Sequence, residues 1–388
     1  MEVGLIAVWA GLAVVTAGLL MLLRPICHKL RLVDHPNERK QHGESVPLAG
    51  GVAFMLVIVP SMLGAAALST VTIDPKWWVV LVTAVGLLGV GIVDDRIEMK
   101  ARARMIAQLL AALTLVYVGG FRVESMGALG ELGWASVPFT VLVIVTFLNA
   151  SNMVDGADGL LGSVLLPPLV AIAFIADAPL SWGAGMLAAV VFAFLLFNWP
   201  ARSAARSRRR MFMGNGGVLF IALFTAAILI QATGQEGPLL PGAAALLTLI
   251  PLTDMATTCI RRIVHRVSPL SADRGHIHHR LLLAGLSPNR IALIYLGVSA
   301  AATLTGVLLP RAGMDGFWLW TIAAVILTTA TMLELWFSTR ARVRLRAIAR
   351  DGLELPYADE SPRRDPRGPA SDDHPLPDPF LKRTGTGG

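Results

Sequence analysis

Charge is scarce in this 388-residue sequence: Asp, Glu, Lys and Arg make up 15% of it, against 55% hydrophobic residues. Soluble globular domains carry about 25% charged residues, so the composition excludes that class and points to an integral membrane protein. Cysteine is almost absent. The two copies, Cys27 and Cys259, fall at the same membrane side in the topology below, where a structural disulfide is not expected. No stretch shows the ten-residue alternation of an outer-membrane barrel strand. The leader Met1-Glu2-Val3 lacks a basic region and Arg24 follows the first apolar run, so that run is read as a span and not as a cleavable signal peptide.

What the sequence has is long apolar runs, near 3–23, 48–69, 77–93, 105–119, 137–150, 160–176, 182–198, 217–233, 239–258, 290–309 and 315–337. They predict an all-α, polytopic membrane protein with about eleven transmembrane helices. Placing the N-terminus outside leaves only Lys76, Arg122 and Arg311 of the 33 Lys and Arg on the outer side. The reverse orientation would invert that ratio, so the positive-inside rule sets the topology. The net charge of +7 then reflects topology and anionic lipid, not nucleic acid. Residues 1–337 read as the membrane domain. Residues 338–388 read as a basic juxtamembrane helix, Arg340 to Arg346, and a disordered tail that carries seven of the 23 prolines.

In that topology the unusual polar groups gather on the cytoplasmic face. The stretch Asn149 to Leu160 breaks an apolar region with Asn152, Asp155 and Asp158. A carboxylate at the centre of a bilayer costs about 3 kcal/mol even on the cheaper insertion scales. The stretch is either a polar turn or a site. A calcium loop is excluded, because Ala157 and Gly159 cannot ligate and no Glu closes the loop. Asp94-Asp95, followed by Arg96, Lys100, Arg102 and Arg104, suits a hard cation and phosphate, or a charged helix end balanced by arginine.

The first inner loop offers Arg39, Lys40 and His42 before Gly50-Gly51, as an anion site or as an ordinary basic loop. The fourth contains Arg202, Arg206, Arg208, Arg209 and Arg210, then Met213-Gly214-Asn215-Gly216-Gly217. These read as a positive-inside anchor and a glycine-rich turn. The fifth has Asp254 near a span end, then Asp273-Arg274-Gly275-His276-Ile277-His278-His279. That spacing matches no standard zinc pattern. It fits imidazole and guanidinium donors for a phosphate or sugar, or a solvated basic loop. A transporter would place its ionisable groups at the midplane. Groups at helix ends favour chemistry between a soluble phosphate compound and a lipid.

Five stretches in this order resemble the polyprenyl-phosphate N-acetylhexosamine-1-phosphate transferase family, over residues 1 to about 337. They are Asp34 to His42 with Pro47 and Gly50-Gly51; Asp94-Asp95 through Gln108; Asn149 to Gly159; Phe197-Asn198 with Pro200-Ala201; and Asp273 to His279. The His-Ile-His-His form is similar to the glycosyltransferase family 4 branch that uses UDP-GlcNAc. The alternatives are the phospho-MurNAc-pentapeptide branch or a binding homologue without turnover.

The resemblance implies that a lipid phosphate attacks the β-phosphorus of the UDP-sugar, giving polyprenyl-diphospho-GlcNAc and UMP. It implies Mg²⁺, with Mn²⁺ as a substitute, held by Asp94, Asp95 and Asn215. Asp94, Asp95, Asp155, Asp158, His276, His278 and His279 would be catalytic. Arg39, Lys40, His42, Arg104, Asn152, Asn198 and Arg274 would bind substrate. The implied partners are UDP-N-acetylhexosamine, undecaprenyl or decaprenyl phosphate and membrane lipid, with a homodimer as the oligomer. The implied location is the bacterial inner membrane. Two departures stand out. Arg104 replaces the family's Lys, and Asn215 replaces the metal-binding Asp of Met-Gly-Asp-X-Gly-Ser. The amide keeps an oxygen but loses the charge, which should weaken hard-cation binding.

Overall fold

The computed structural model describes residues 3–34, 45–200, 210–268 and 275–350, with side chains to 337. It is a helical bundle with one two-stranded ribbon. In chain order the helices are α1 (Val3–Lys29), α2 (Gly50–Ala67), α3 (Pro75–Ile97), α4 (Ala101–Tyr117), α5 (Ser136–Val154), α6 (Leu160–Ile175) and α7 (Leu180–Asn198). Then come α8 (Gly214–Ala232), α9 (Pro241–Leu247), α10 (Leu249–Val264), α11 (Ile277–Leu283), α12 (Pro288–Arg311) and α13 (Gly316–Arg350).

Every one of the eleven apolar runs is helical, yet not every one is a full span. Among the described residues, eight helices are long and apolar enough to cross a membrane, and α9 with α10 makes a ninth candidate, bent by 72°. The remaining two runs are α4 and α6, of 17 and 16 residues. At 1.5 Å per residue they fall short of a hydrocarbon core about 30 Å thick. The chain is a multi-pass membrane protein. The basic extension expected from 338 continues α13 without a break to Arg350; the expected tail beyond it lies outside the described residues.

The centre of the bundle is α8, which is apolar all round and buried at every residue from Gly216 to Ile230. A helix with no polar face can be covered by protein or by lipid, and here protein encloses it. Its most extensive neighbour is α3, and glycine makes the approach this close. A Cβ at Gly91 would stand 2.1 Å from the Gly216 Cα, and one at Gly51 would stand 2.6 Å from the Gly217 Cα. Any side chain at these points would push α2 and α3 off α8. The N-terminus of α8 is thereby pinned against the C-terminal half of α3, where Asp94 and Asp95 lie.

The ribbon ties two loops to the same end. β1 (Val33–Asp34) pairs with β2 (Val46–Pro47), and Phe212 N donates to Pro47 O while Gly50 N donates to Phe212 O. The loop ends of the first and fourth motif regions are therefore one hydrogen-bonded unit.

Candidate active site

The second of the paired aspartates and the first play different parts. Asp94 is 3% exposed because protein donors surround it. Its Oδ1 accepts from Met99 N at 2.8 Å, and its Oδ2 accepts from Arg104 Nη1 at 3.2 Å and Asn215 Nδ2 at 2.9 Å. A carboxylate supplied with three donors is an anchor. It fastens the α3–α4 turn, where Glu98 takes a φ of 48°, to the start of α8. Asp95 accepts from the backbone N of Asn215 at 3.1 Å, an orphan donor of the first turn of α8. Glycine is required beside it: Gly214 has φ +74°, and a Cβ there would stand 2.8 Å from Asp95 Oδ2.

Asp155 closes α5, donating its backbone N–H to Ser151 O at 3.1 Å. Burial, then the charges of Asp158 and Asp95, push its carboxyl well above the ordinary carboxylate range. Three acids from two loops thus feel one another. Asp158 is ion-paired with Arg210, and Asp155 has no ion-pair partner among the described residues. Asn152 reaches across from α5, donating from Nδ2 to Asn215 Oδ1 at 3.2 Å.

The histidine segment is set by Asp254, fully buried in α10. Its Oδ1 accepts from Ile277 N at 2.8 Å and its Oδ2 lies 2.9 Å from His276 Nδ1. A carboxylate oxygen accepts, so Nδ1 carries the proton of this contact and Nε2 is the nitrogen left for other partners. His278 lies parallel to His276, with centroids 5.8 Å apart, and 4.2 Å from His279. It is 1% exposed, and neither ring nitrogen has a hydrogen-bond partner among the described residues. Burial first, and then His279, against the pull of Asp254 and with His276, lower it to about 4. It is therefore a neutral donor and acceptor at pH 7. A Cβ at Gly156 would stand 2.9 Å from its Nε2, which places the imidazole directly on the Asp155–Asp158 loop.

The structure brings Asp94, Asp95, Arg104, Asn152, Asp155, Asp158, Asn215, His276, His278 and His279 to one end of the bundle. Arg39, Lys40, His42 and Arg274 lie outside the described residues. Asn198 is placed differently from the expectation of a substrate contact. It is 5% exposed, accepts from Gly159 N at 2.7 Å and donates to Met211 O at 2.8 Å. Both ends of its amide hold loops together. The sequence reading gave no role to Asp254, or to Glu334 in the middle of α13; the available signal was an ionisable residue within an apolar run.

Among the described residues, no group of three acidic, histidine or cysteine side chains stands ready to hold a metal. The expected trio is clustered, with Asn215 2.9 Å from Asp94 Oδ2 and 3.1 Å from Asp95 Oδ1. Asp94 can only accept, so the Asn215 amide turns its nitrogen to it and its oxygen to Asn152. The donor set still suits Mg²⁺, which takes one or two carboxylates and completes its shell with water and substrate phosphate. Asp155, raised by burial and by the charges of Asp158 and Asp95, is the acid that a cation would relieve. A cavity of about 600 Å³ lies at the opposite ends of α4, α5, α8 and α12, lined by Arg122, Glu124, Thr233, Gln235 and Arg311 among others. None of the site's aspartates or histidines borders it.

Residues 77–233 match the family described as glycosyl transferase family 4. A Yersinia pestis protein named undecaprenyl-phosphate alpha-N-acetylglucosaminyl 1-phosphate transferase is 31% identical over 304 residues, which is 74% of this chain and 80% of that protein. Proteins of the same name from Escherichia coli (strain K12) and Salmonella typhi are 31% identical over 299 residues and 32% identical over 303. They cover 73% and 74% of this chain, and 77% and 78% of their own lengths.

Proposed function

The chain belongs to glycosyl transferase family 4, and from that premise we propose that it transfers GlcNAc-1-phosphate from UDP-GlcNAc to undecaprenyl phosphate or a related polyprenyl phosphate. A phosphate oxygen of the lipid forms the new bond to the β-phosphorus. The bond from that phosphorus to the bridging oxygen breaks, and UMP leaves with the oxygen. The observation that carries the reading is that Asn215 joins Asp95 to Asn152 while His278 seats on Gly156, so three loops meet at one end of the bundle. Two anions must meet there, and positioning with electrostatic stabilisation does most of the work in phosphoryl transfer.

Asp95 and Asp155 would hold Mg²⁺ (or Mn²⁺), which supplies Lewis-acid neutralisation of the diphosphate. Asn152, at the end of α5 and bonded to Asn215, would orient the nucleotide. The neutral His278 offers an N–H to the sugar phosphate, and His276, fixed by Asp254, offers its Nε2. Asp94 and Arg104 keep the α3–α4 turn in place beneath them. The relatives' names favour the GlcNAc donor over a MurNAc-pentapeptide donor.

In purified protein, UMP should be released from UDP-GlcNAc only when polyprenyl phosphate is present, and faster than from UDP-MurNAc-pentapeptide. A preference for the pentapeptide, or UMP release without lipid, would overturn the assignment.

The proposed setting is the bacterial inner membrane, with the site facing the cytoplasm, on the strength of the Lys and Arg asymmetry. In a variant lacking Cys27 and Cys259, single cysteines at Ser45 and Ala284 should resist a membrane-impermeant thiol reagent in intact cells and react after the membrane is opened. Labelling of either position in intact cells would reverse the orientation.

A further inference from the structure

Glu334 lies in the middle of α13, near the end of its apolar span Gly316–Phe337, and is 8% exposed in a span whose other residues face mostly outward. A lone carboxylate in such a place needs cations. Two guanidiniums meet it: Arg261 Nε stands 2.9 Å from Oε1, and Arg280 Nη1 stands 2.5 Å from Oε2. Arg261 lies in the last turn of α10, whereas Arg280 belongs to α11, one residue beyond His279. The Arg261 guanidinium also lies against the backbone that leads into the histidines, since a Cβ at Gly275 would stand 2.0 Å from its Nη2. One carboxylate therefore gathers a cation packed just before His276 and another just after His279.

We propose that Glu334 is a positioning residue for the nucleotide-sugar half of the site, acting as a clamp on both ends of the histidine segment. Asp254 fixes the segment's first imidazole and first helical N–H. It does not reach Arg280, so the far end of the segment needs a second anchor. The last span supplies it. Without Glu334 the two guanidiniums would repel each other, and the pull holding α11 against α10 would be lost. His278, whose seat on Gly156 depends on that placement, would then shift away from the Asp155 loop. The geometry stands whatever the substrate; the kinetic consequence rests on the function proposed above.

The test uses full-length protein in lipid nanodiscs, with Glu334→Gln and the gentler Arg280→Gln, whose parent side chain is one-third exposed. A misplacement of about 1 Å can cost about a hundredfold in rate, so kcat/KM for UDP-GlcNAc should fall by about ten- to a hundredfold. The KM for polyprenyl phosphate should stay within about twofold, because this clamp touches only the histidine side. Effects of the two substitutions should not add in the double variant, because they break one unit. Glu334→Asp, which keeps the charge, should recover part of the loss. Independently of turnover, diethyl pyrocarbonate should modify His278 at least about tenfold faster in both variants, read by mass spectrometry, since exposure follows local opening. Faster modification without any UMP release would keep the clamp and sink the assigned reaction. Unchanged His278 modification in Arg280→Gln, or equal losses for both substrates, would overturn the clamp.

Discussion

Asp155→Asn will lower turnover by at least about a hundredfold, the scale of losing one electrostatic contact to a developing charge, and will make the protein harder to unfold. The two effects share a cause. Asp155 is pushed well above the usual carboxylate range by burial and by Asp158 and Asp95, so its ionised form is disfavoured in the folded state. The sign follows directly. A folded-state pKa above the unfolded one means that the folded protein binds the proton more tightly. The residue therefore costs stability at neutral pH, and the cost fades as pH falls through the folded value toward the ordinary range near 4. Asparagine removes the charge at little change in size. In chelator at pH 7.5 the thermal midpoint should rise by several degrees, and the gain should shrink as the pH is lowered toward 5. A midpoint that drops in the variant at pH 7.5 would mean that Asp155 is held by cations, and the reading of the loop as a cation seat would fail. Function purchased at the expense of stability is common where charge is held ready for a ligand.

The second large effect concerns Asn215. Its Nδ2 stands 2.9 Å from Asp94 Oδ2 and its backbone N stands 3.1 Å from Asp95 Oδ1. Asn215→Asp would replace the first contact by two like charges at hydrogen-bond distance, with Arg104 as the nearby counter-charge. In chelator, the variant should melt below the wild type. Added Mg²⁺ should reverse the order, because hard-cation affinity rises with the number of charged ligands. The Mg²⁺ concentration giving half-maximal UMP release should fall by about tenfold, equivalent to about 1.4 kcal/mol of binding. The melting shift reads metal binding without turnover. If Mg²⁺ moves neither midpoint nor rate differently in the two proteins, position 215 does not approach the metal.

The sequence alone determined the class and singled out the loops that carry the candidate site. Hydrophobic runs of spanning length can only be helices in a bilayer, because every backbone group must find its partner within the segment. All eleven runs are helical. Polar residues are costly beside such runs, so the loops that carry Asp94, Asp155, Asn215 and His276 stood out before any coordinates. Which helices reach the full thickness did not follow, because α4 and α6 differ from the others by only a few residues, and a bend such as that between α9 and α10 has no signature in hydropathy.

Roles within the site were decided by tertiary structure. Asp94 and Asp95 are neighbours of the same chemical type, yet one is wrapped by the side chains of Arg104 and Asn215 and by Met99 N, while the other accepts from the backbone N of Asn215. Adjacent helical residues point about 100° apart, and only the position of α8 says which of them meets protein. Asn198 looked like a substrate contact and is a strut between loops, because Gly159 N and Met211 O happen to flank it. Glu334 lies 73 residues from Arg261 in the chain and 54 from Arg280, and no local pattern pairs them. Composition and periodicity report what a residue must avoid, here lipid without a partner. Which partner it finds is a property of packing between distant segments, and that information exists only once the helices are assembled.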